Sequence, residues 1–235
     1  MRRVTLALDA LPALREAIGA RCDLTAATKL AELAGVRSVR VGVSEELRPV
    51  KVQDALSLSE NAEAWELRMA PAQGLLKLAL EARPGLVVLS AEGWEGDGNA
   101  SPIDPRTRAS ALTPIIRSLE EAGLPTAILV APDLETVKAA HGLGVAAVEL
   151  FTGATVDLPA SERRPELERL GDAARLASKL RLWVGVGGGL DYRSVGEVLA
   201  AAPVAERVVV GRAVVSRSLL VGIDRAVRDF VAFTG

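Results

Sequence analysis

Two glycine-rich pieces near the C-terminal end have the composition of an anion cradle: Gly185-Val186-Gly187-Gly188-Gly189-Leu190 and Val210-Gly211-Arg212. Glycines let backbone N–H groups approach oxygens closely, and a helix starting beside them adds positive potential, so phosphate is the chemistry this pair suits. The structural alternative is that 187–189 only makes a tight turn into a helix beginning near Arg193. A second group of residues is charged. Asp9, Arg40, Glu66, Arg68 and Glu149 lie in or beside short apolar runs, and strand alternation puts Ala7 with Asp9, Arg40 with Gly42, Glu66 with Arg68, and Glu149 with Phe151. If those faces point inward, buried charges have to pair. The set is then either a polar pocket, with carboxylates for proton transfer and guanidiniums for an anion, or a self-neutralising plug replacing an apolar layer. Arg48 and Arg207 are further guanidiniums available to an anion.

The remaining chemistry is narrow. One histidine and one cysteine in 235 residues cannot supply the three or four ligands of a zinc site, so no metal and no cofactor is expected. Cys22 has no partner for a disulfide and no histidine beside it, which favours a packing role and a reducing, cytoplasmic location. His141 precedes Gly142 at a helix end and is expected to face the structural side of the fold. The long acidic loop 90–104, with Trp94, is a candidate lid or a solvated excursion; Asp97 and Asn99 lack the spacing of a calcium loop. A net charge of −2 and scattered arginines argue against nucleic acid, and Asp9 interrupts the only apolar run near the start before it reaches signal or membrane length. Nucleic acid and membrane are therefore not expected partners.

Eight aliphatic runs must position these residues: 4–9, 38–43, 65–69, 86–89, 126–130, 147–151, 182–186 and 207–210. Between and after them lie helical segments at 25–34, 72–82, 106–122, 134–143, 166–179, 194–201 and 218–230. Asp23 and Asp133 have the position of N-caps, and Gly35, Gly123 and Gly144 that of C-terminal caps. Strands rich in valine and leucine, alternating with helices eight times, predict a single α/β domain over 1–235, a (β/α)8 TIM barrel. Chemistry in such a barrel sits at the C-terminal strand ends, where the glycine pieces and most of the charges fall.

At those strand ends the chain resembles the pyridoxine 5'-phosphate synthase family. Leu8-Asp9 with Leu14-Arg15, Leu67-Arg68-Met69-Ala70, Val148-Glu149-Leu150-Phe151-Thr152-Gly153, Gly187-Gly188-Gly189-Leu190 and Val210-Gly211-Arg212-Ala213-Val214 carry the likeness. The resemblance implies a TIM barrel that condenses 1-deoxy-D-xylulose 5-phosphate with 3-amino-2-oxopropyl phosphate, and a homo-oligomer. It also implies a histidine base where Gly42 stands, a glutamate base at Arg68 and a histidine acid at Gly188. Substrate contacts of the family fall on Ala7, Ala10, Ser44, Pro49, Glu206 and Arg207, whereas Asp9, Glu149, Gly187, Gly189 and Gly211 match. No residue is therefore assigned a catalytic role, Asp9 and Glu149 being the family-matching candidates.

Two readings follow. In the first, a non-catalytic homologue acts by binding or protein interaction, and its upper mouth is small or filled by side chains. In the second, a diverged enzyme or sensor takes a phosphorylated or other anionic metabolite, with Arg48, Arg68, Gly187, Gly188, Gly189 and Gly211 as ligand-binding candidates.

Overall fold

The computed structural model describes residues 2–19, 22–91 and 100–234. Eight parallel strands close into a barrel in sequence order: β1 (Arg3–Ala7), β2 (Ser38–Val43), β3 (Trp65–Met69), β4 (Leu86–Leu89), β5 (Thr126–Val130), β6 (Ala147–Phe151), β7 (Trp183–Gly187) and β8 (Arg207–Val210), with β8 pairing back to β1. The helices are α1 (Ala10–Ile18), α2 (Leu24–Leu33), α3 (Val52–Asn61), α4 (Gln73–Ala82), α5 (Pro105–Glu121), α6 (Leu134–Gly142), α7 (Gly153–Val156), α8 (Arg163–Lys179), α9 (Val195–Ala201), α10 (Arg212–Val221) and α11 (Ile223–Val231). This is the (β/α)8 barrel that the alternation predicts.

Local chemistry explains most boundaries. The Asp23 carboxylate accepts the Ala26 N–H at 3.0 Å, and the Asp133 carboxylate accepts from Glu135 and Thr136, so both start helices as expected. Several boundaries differ from those expected, most helix ends by one residue. β1 ends at Ala7, because Asp9 already turns into α1; β7 is shifted one residue toward its glycines; α8 starts at Arg163. The expected helix 218–230 is two helices, broken at Gly222, whose positive φ of 82° stops α10. Helices α1 and α3, absent from the sequence reading, fill the first and second crossovers.

The strands alternate between two environments. Val39, Val41, Leu67, Val87, Leu89, Ile128, Val130, Val148, Leu150, Val184, Val186 and Val208 point outward and are buried under the helices. Inside, only the β4–β6 side is apolar, where Leu86, Val88, Ala127, Leu129 and Ala147 form a separate cluster with Phe151 packed against it. The rest of the interior is mostly polar, with an ionic centre, and includes the apolar Ala7 and Val209.

Candidate functional site

Four side chains form the ionic centre. Arg40 donates to Glu66 Oε2 from Nε (2.9 Å) and Nη2 (2.6 Å), and to both oxygens of Glu149 from Nη1 (2.9 Å) and Nη2 (2.6 Å). Arg207 closes the ring, reaching Glu149 Oε2 at 3.0 Å and Glu66 Oε1 at 3.2 Å. Thr5 and Ser38 hydroxyls donate to Glu66 Oε1 at 3.0 and 3.2 Å. Two positive and two negative charges thus cancel, each with several hydrogen bonds, which is the condition under which charges persist in a buried layer. Burial alone would push the Glu66 carboxyl up; Arg207, Arg40 and the Thr5 hydroxyl more than reverse this and hold it at about 2. Glu149 behaves alike, raised by burial and brought below the usual carboxylate range by Arg40 and Arg207.

This arrangement makes the fold sensitive to acid. The folded value for Glu66 lies below its ordinary 4.5, so its stabilising contribution is complete above about pH 5 and is lost as pH falls toward about 2. The expected loss is on the order of 3 kcal/mol, read by urea denaturation across that range; a stability independent of pH there would refute it.

Above the centre lies a second layer. Arg68 Nη2 is 3.8 Å from Asp9 Oδ1, and the Asp9 carboxylate accepts the Gly42 N–H. Gly42 and Arg68 are register partners, and a Cβ built on Gly42 would coincide with the Arg68 guanidinium. The same complementarity recurs around the barrel. A Cβ on Gly185 would lie 2.9 Å from Arg207 Nη2, one on Gly187 2.9 Å from Glu149 Oε1, and one on Gly188 2.6 Å from the Phe151 ring. A Cβ on Gly153 would also enter that ring. Arg68, Arg207, Glu149 and Phe151 therefore fill spaces that glycines on neighbouring strands and loops leave open.

Over this second layer the C-terminal mouth holds a cavity of about 690 Å³. Its floor is Asp9, Arg40, Arg68 and Glu149; α1 supplies an apolar wall of Ala10, Ala13, Leu14 and Ala17; Gly188, Gly189, Gly211 and Arg212 also line it. The size falls within the usual range for small-molecule sites. The N-terminal turn of α10 opens onto it, so N–H groups without helical partners and the helix dipole face the cavity beside these glycines.

The first reading expects an upper mouth that is small or filled; among the described residues the plug occupies the barrel centre and the cavity lies above it, beside the alanines of α1. Arg48 is exposed in the loop between β2 and α3 and does not line the cavity; its carbonyl accepts the Ser44 hydroxyl at 3.0 Å. Gly187 faces Glu149 and Val209 within the barrel and makes room for them, with no share in the cavity lining. Arg68, Gly188, Gly189, Gly211, Asp9 and Glu149 do meet at the cavity. The sequence reading omitted Arg207 from the charged network, although its alternation with Val209 placed it on the inner face. His141 is exposed in the last turn of α6, on the side away from the cavity. The candidate lid around Trp94 lies outside the described residues; the flanking residues Ala91 and Ser101 form a β-bridge. No group of metal-ligating side chains occurs among the described residues, and no helix there is long and apolar enough to cross a membrane.

A family model described as pyridoxal phosphate biosynthesis protein PdxJ matches residues 4–234. The chain is similar to the pyridoxine 5'-phosphate synthase of Geobacter metallireducens, at 31% identity over 98% of both chains. It is also similar to that of a Synechococcus species, at 34% identity over 88% of this chain and 87% of the relative. Among solved structures, a tryptophan synthase of Mycobacterium tuberculosis aligns with TM-score 0.65 and 15% identity, covering 99% of this chain and 92% of the other. Thiamine phosphate pyrophosphorylase of Pyrococcus furiosus aligns with TM-score 0.58 and 14% identity, covering 98% and 94%. At such identities these two structures speak for the barrel alone. Matched from β1 to beyond α11 by the family model and along nearly their full length by its curated relatives, this chain belongs to the PdxJ family.

Proposed function

We propose that this barrel binds a small phosphorylated or otherwise anionic metabolite in its C-terminal mouth and does not carry out the condensation that its pyridoxine 5'-phosphate synthase relatives are named for. The observation that carries this reading is the state of the two central carboxylates. Glu66 and Glu149 are each gripped by Arg40 and Arg207 and held as anions, so neither is poised to take and return a proton near neutrality. The residue over them is Arg68, whose guanidinium has donors and no acceptor, and the resemblance puts a base there. A general acid or base contributes about 10²–10⁴-fold to a rate, and the resemblance puts three such groups at positions where this chain has Gly42, Arg68 and Gly188.

Binding is supported by the cavity, by the glycines and helix turn that line it, and by Arg68 on its floor. Guanidiniums and backbone N–H groups together suit phosphate or carboxylate. The family and the exposed Leu33, Leu219 and Leu220 support a homo-oligomer, and the unpaired Cys22 supports a cytoplasmic location.

The test has two arms. Incubated with 1-deoxy-D-xylulose 5-phosphate and 3-amino-2-oxopropyl phosphate, the protein is expected to form pyridoxine 5'-phosphate at least about 10⁴-fold more slowly than the Geobacter metallireducens relative. Turnover at an ordinary rate would overturn the non-catalytic reading. In the second arm, a phosphorylated metabolite at 100 times its dissociation constant is expected to add about 2.7 kcal/mol of apparent stability. Silence across a panel of sugar phosphates and pyridoxine 5'-phosphate, with no ligand released from the purified protein, would overturn the binding reading.

A further inference from the structure

The opposite, N-terminal mouth of the barrel holds another cavity, of about 200 Å³, which shares no lining residue with the first. Glu66 and Arg207, the lower half of the ionic centre, form its floor, and Arg3, Arg37 and Trp183 stand at its rim. Trp183 opens β7 on the same face as Gly185 and Gly187, which sends its indole over the barrel axis, where it remains 59% exposed. A single exposed aromatic residue needs no explanation. This one borders a cavity that also carries three guanidiniums.

The charge there is directed. Arg207 lies in the space beside Gly185, anchored to Glu149 and Glu66 at 3.0 and 3.2 Å, so the floor is rigid and internally neutral. At the rim, Arg3 and Arg37 outnumber Glu206. Among the described residues neither Arg3 nor Arg37 has a side-chain ion pair or hydrogen bond, which leaves both forks available to a ligand. The volume equals the liquid share of roughly seven waters at ~30 Å³ each. One ring with a small substituent fits it; a nucleotide does not.

We infer that this N-terminal mouth is a second binding site, for a small aromatic carboxylate whose ring packs on Trp183 and whose carboxylate is held by Arg3 and Arg37. Stacking on an indole and forked guanidinium bonds are the two interactions such a ligand needs. The site is independent of the function proposed above.

Calorimetric titration of the intact protein with benzoate tests it. One site per chain, with a dissociation constant in the millimolar range or tighter, is expected. Trp183→Ala is expected to weaken benzoate about tenfold and Arg37→Ala several-fold, whereas Trp183→Phe keeps most of the affinity. Both side chains are exposed, so the variants will fold. No heat with benzoate, or binding unchanged by Trp183→Ala, would each overturn the inference. Benzoate binding by a protein that is silent to every phosphorylated compound would uphold it while removing the function proposed for the other mouth.

Discussion

Replacing Arg40 by methionine will lower the stability of the protein by about 3–5 kcal/mol at neutral pH. Arg40 makes four hydrogen bonds to Glu66 and Glu149 in a site where it is 2% exposed, and its removal leaves two buried carboxylates to share Arg207. The cost comes from the stranded charge more than from the lost attraction, because a buried anion without a partner keeps its full desolvation penalty. The double variant Arg40→Met, Glu149→Met separates the two contributions. It leaves Glu66 with Arg207, Thr5 and Ser38, restores neutrality and fills the volume with apolar groups, so it should recover most of the loss. Urea denaturation of the wild type and both variants measures this. In a chain of this size the single variant should melt about 10 °C lower. A double variant as unstable as the single one would show that the packing of the side chains, and not charge balance, sustains the barrel centre.

The second large effect concerns Phe151. Its ring occupies the space in front of Gly153 and Gly188, and an alanine Cβ at either position would enter it. Gly153→Ala meets only this clash and should cost about 2 kcal/mol, within the usual range for overpacking. Gly188 also has φ of 107°, where a side chain is strained whatever the space, so Gly188→Ala should cost about 4 kcal/mol. Shortening the ring with Phe151→Leu distinguishes the two causes in a double-mutant cycle. It should cancel nearly all of the Gly153→Ala penalty and only about half of the Gly188→Ala penalty, because backbone strain is indifferent to its neighbour. If Gly153→Ala costs less than about 0.5 kcal/mol, the ring swings freely into the cavity and the filling described above is not a constraint. The same logic is milder at Gly42, where the obstructing group is the flexible end of Arg68 and can rise into the cavity.

The eight strands were legible because parallel strands buried on both faces need continuous aliphatic side chains, and six of them have the boundaries expected from composition alone. Helices α1 and α3 were not, since Ala10–Ile18 carries a proline and Val52–Asn61 is largely polar, leaving weak local signals that tertiary packing completes. Asp9, Arg40, Glu66, Arg68 and Glu149 could be placed on inner faces by alternation. Arg207 belongs on the inner face by the same rule, and its partners, Glu66 on β3 and Glu149 on β6, come within reach only across the closed barrel.

By itself, the sequence determined the barrel and the inward direction of its charges, because these depend on residue type and a period of two. The tertiary structure decided what occupies the space. Register sets Gly42 against Arg68 and Gly185 against both Glu149 and Arg207, so that charges which alternation could only point inward become a neutral plug. It also leaves a cavity above that plug and another below it, since whether a volume is filled depends on side chains from strands that meet only when the sheet closes.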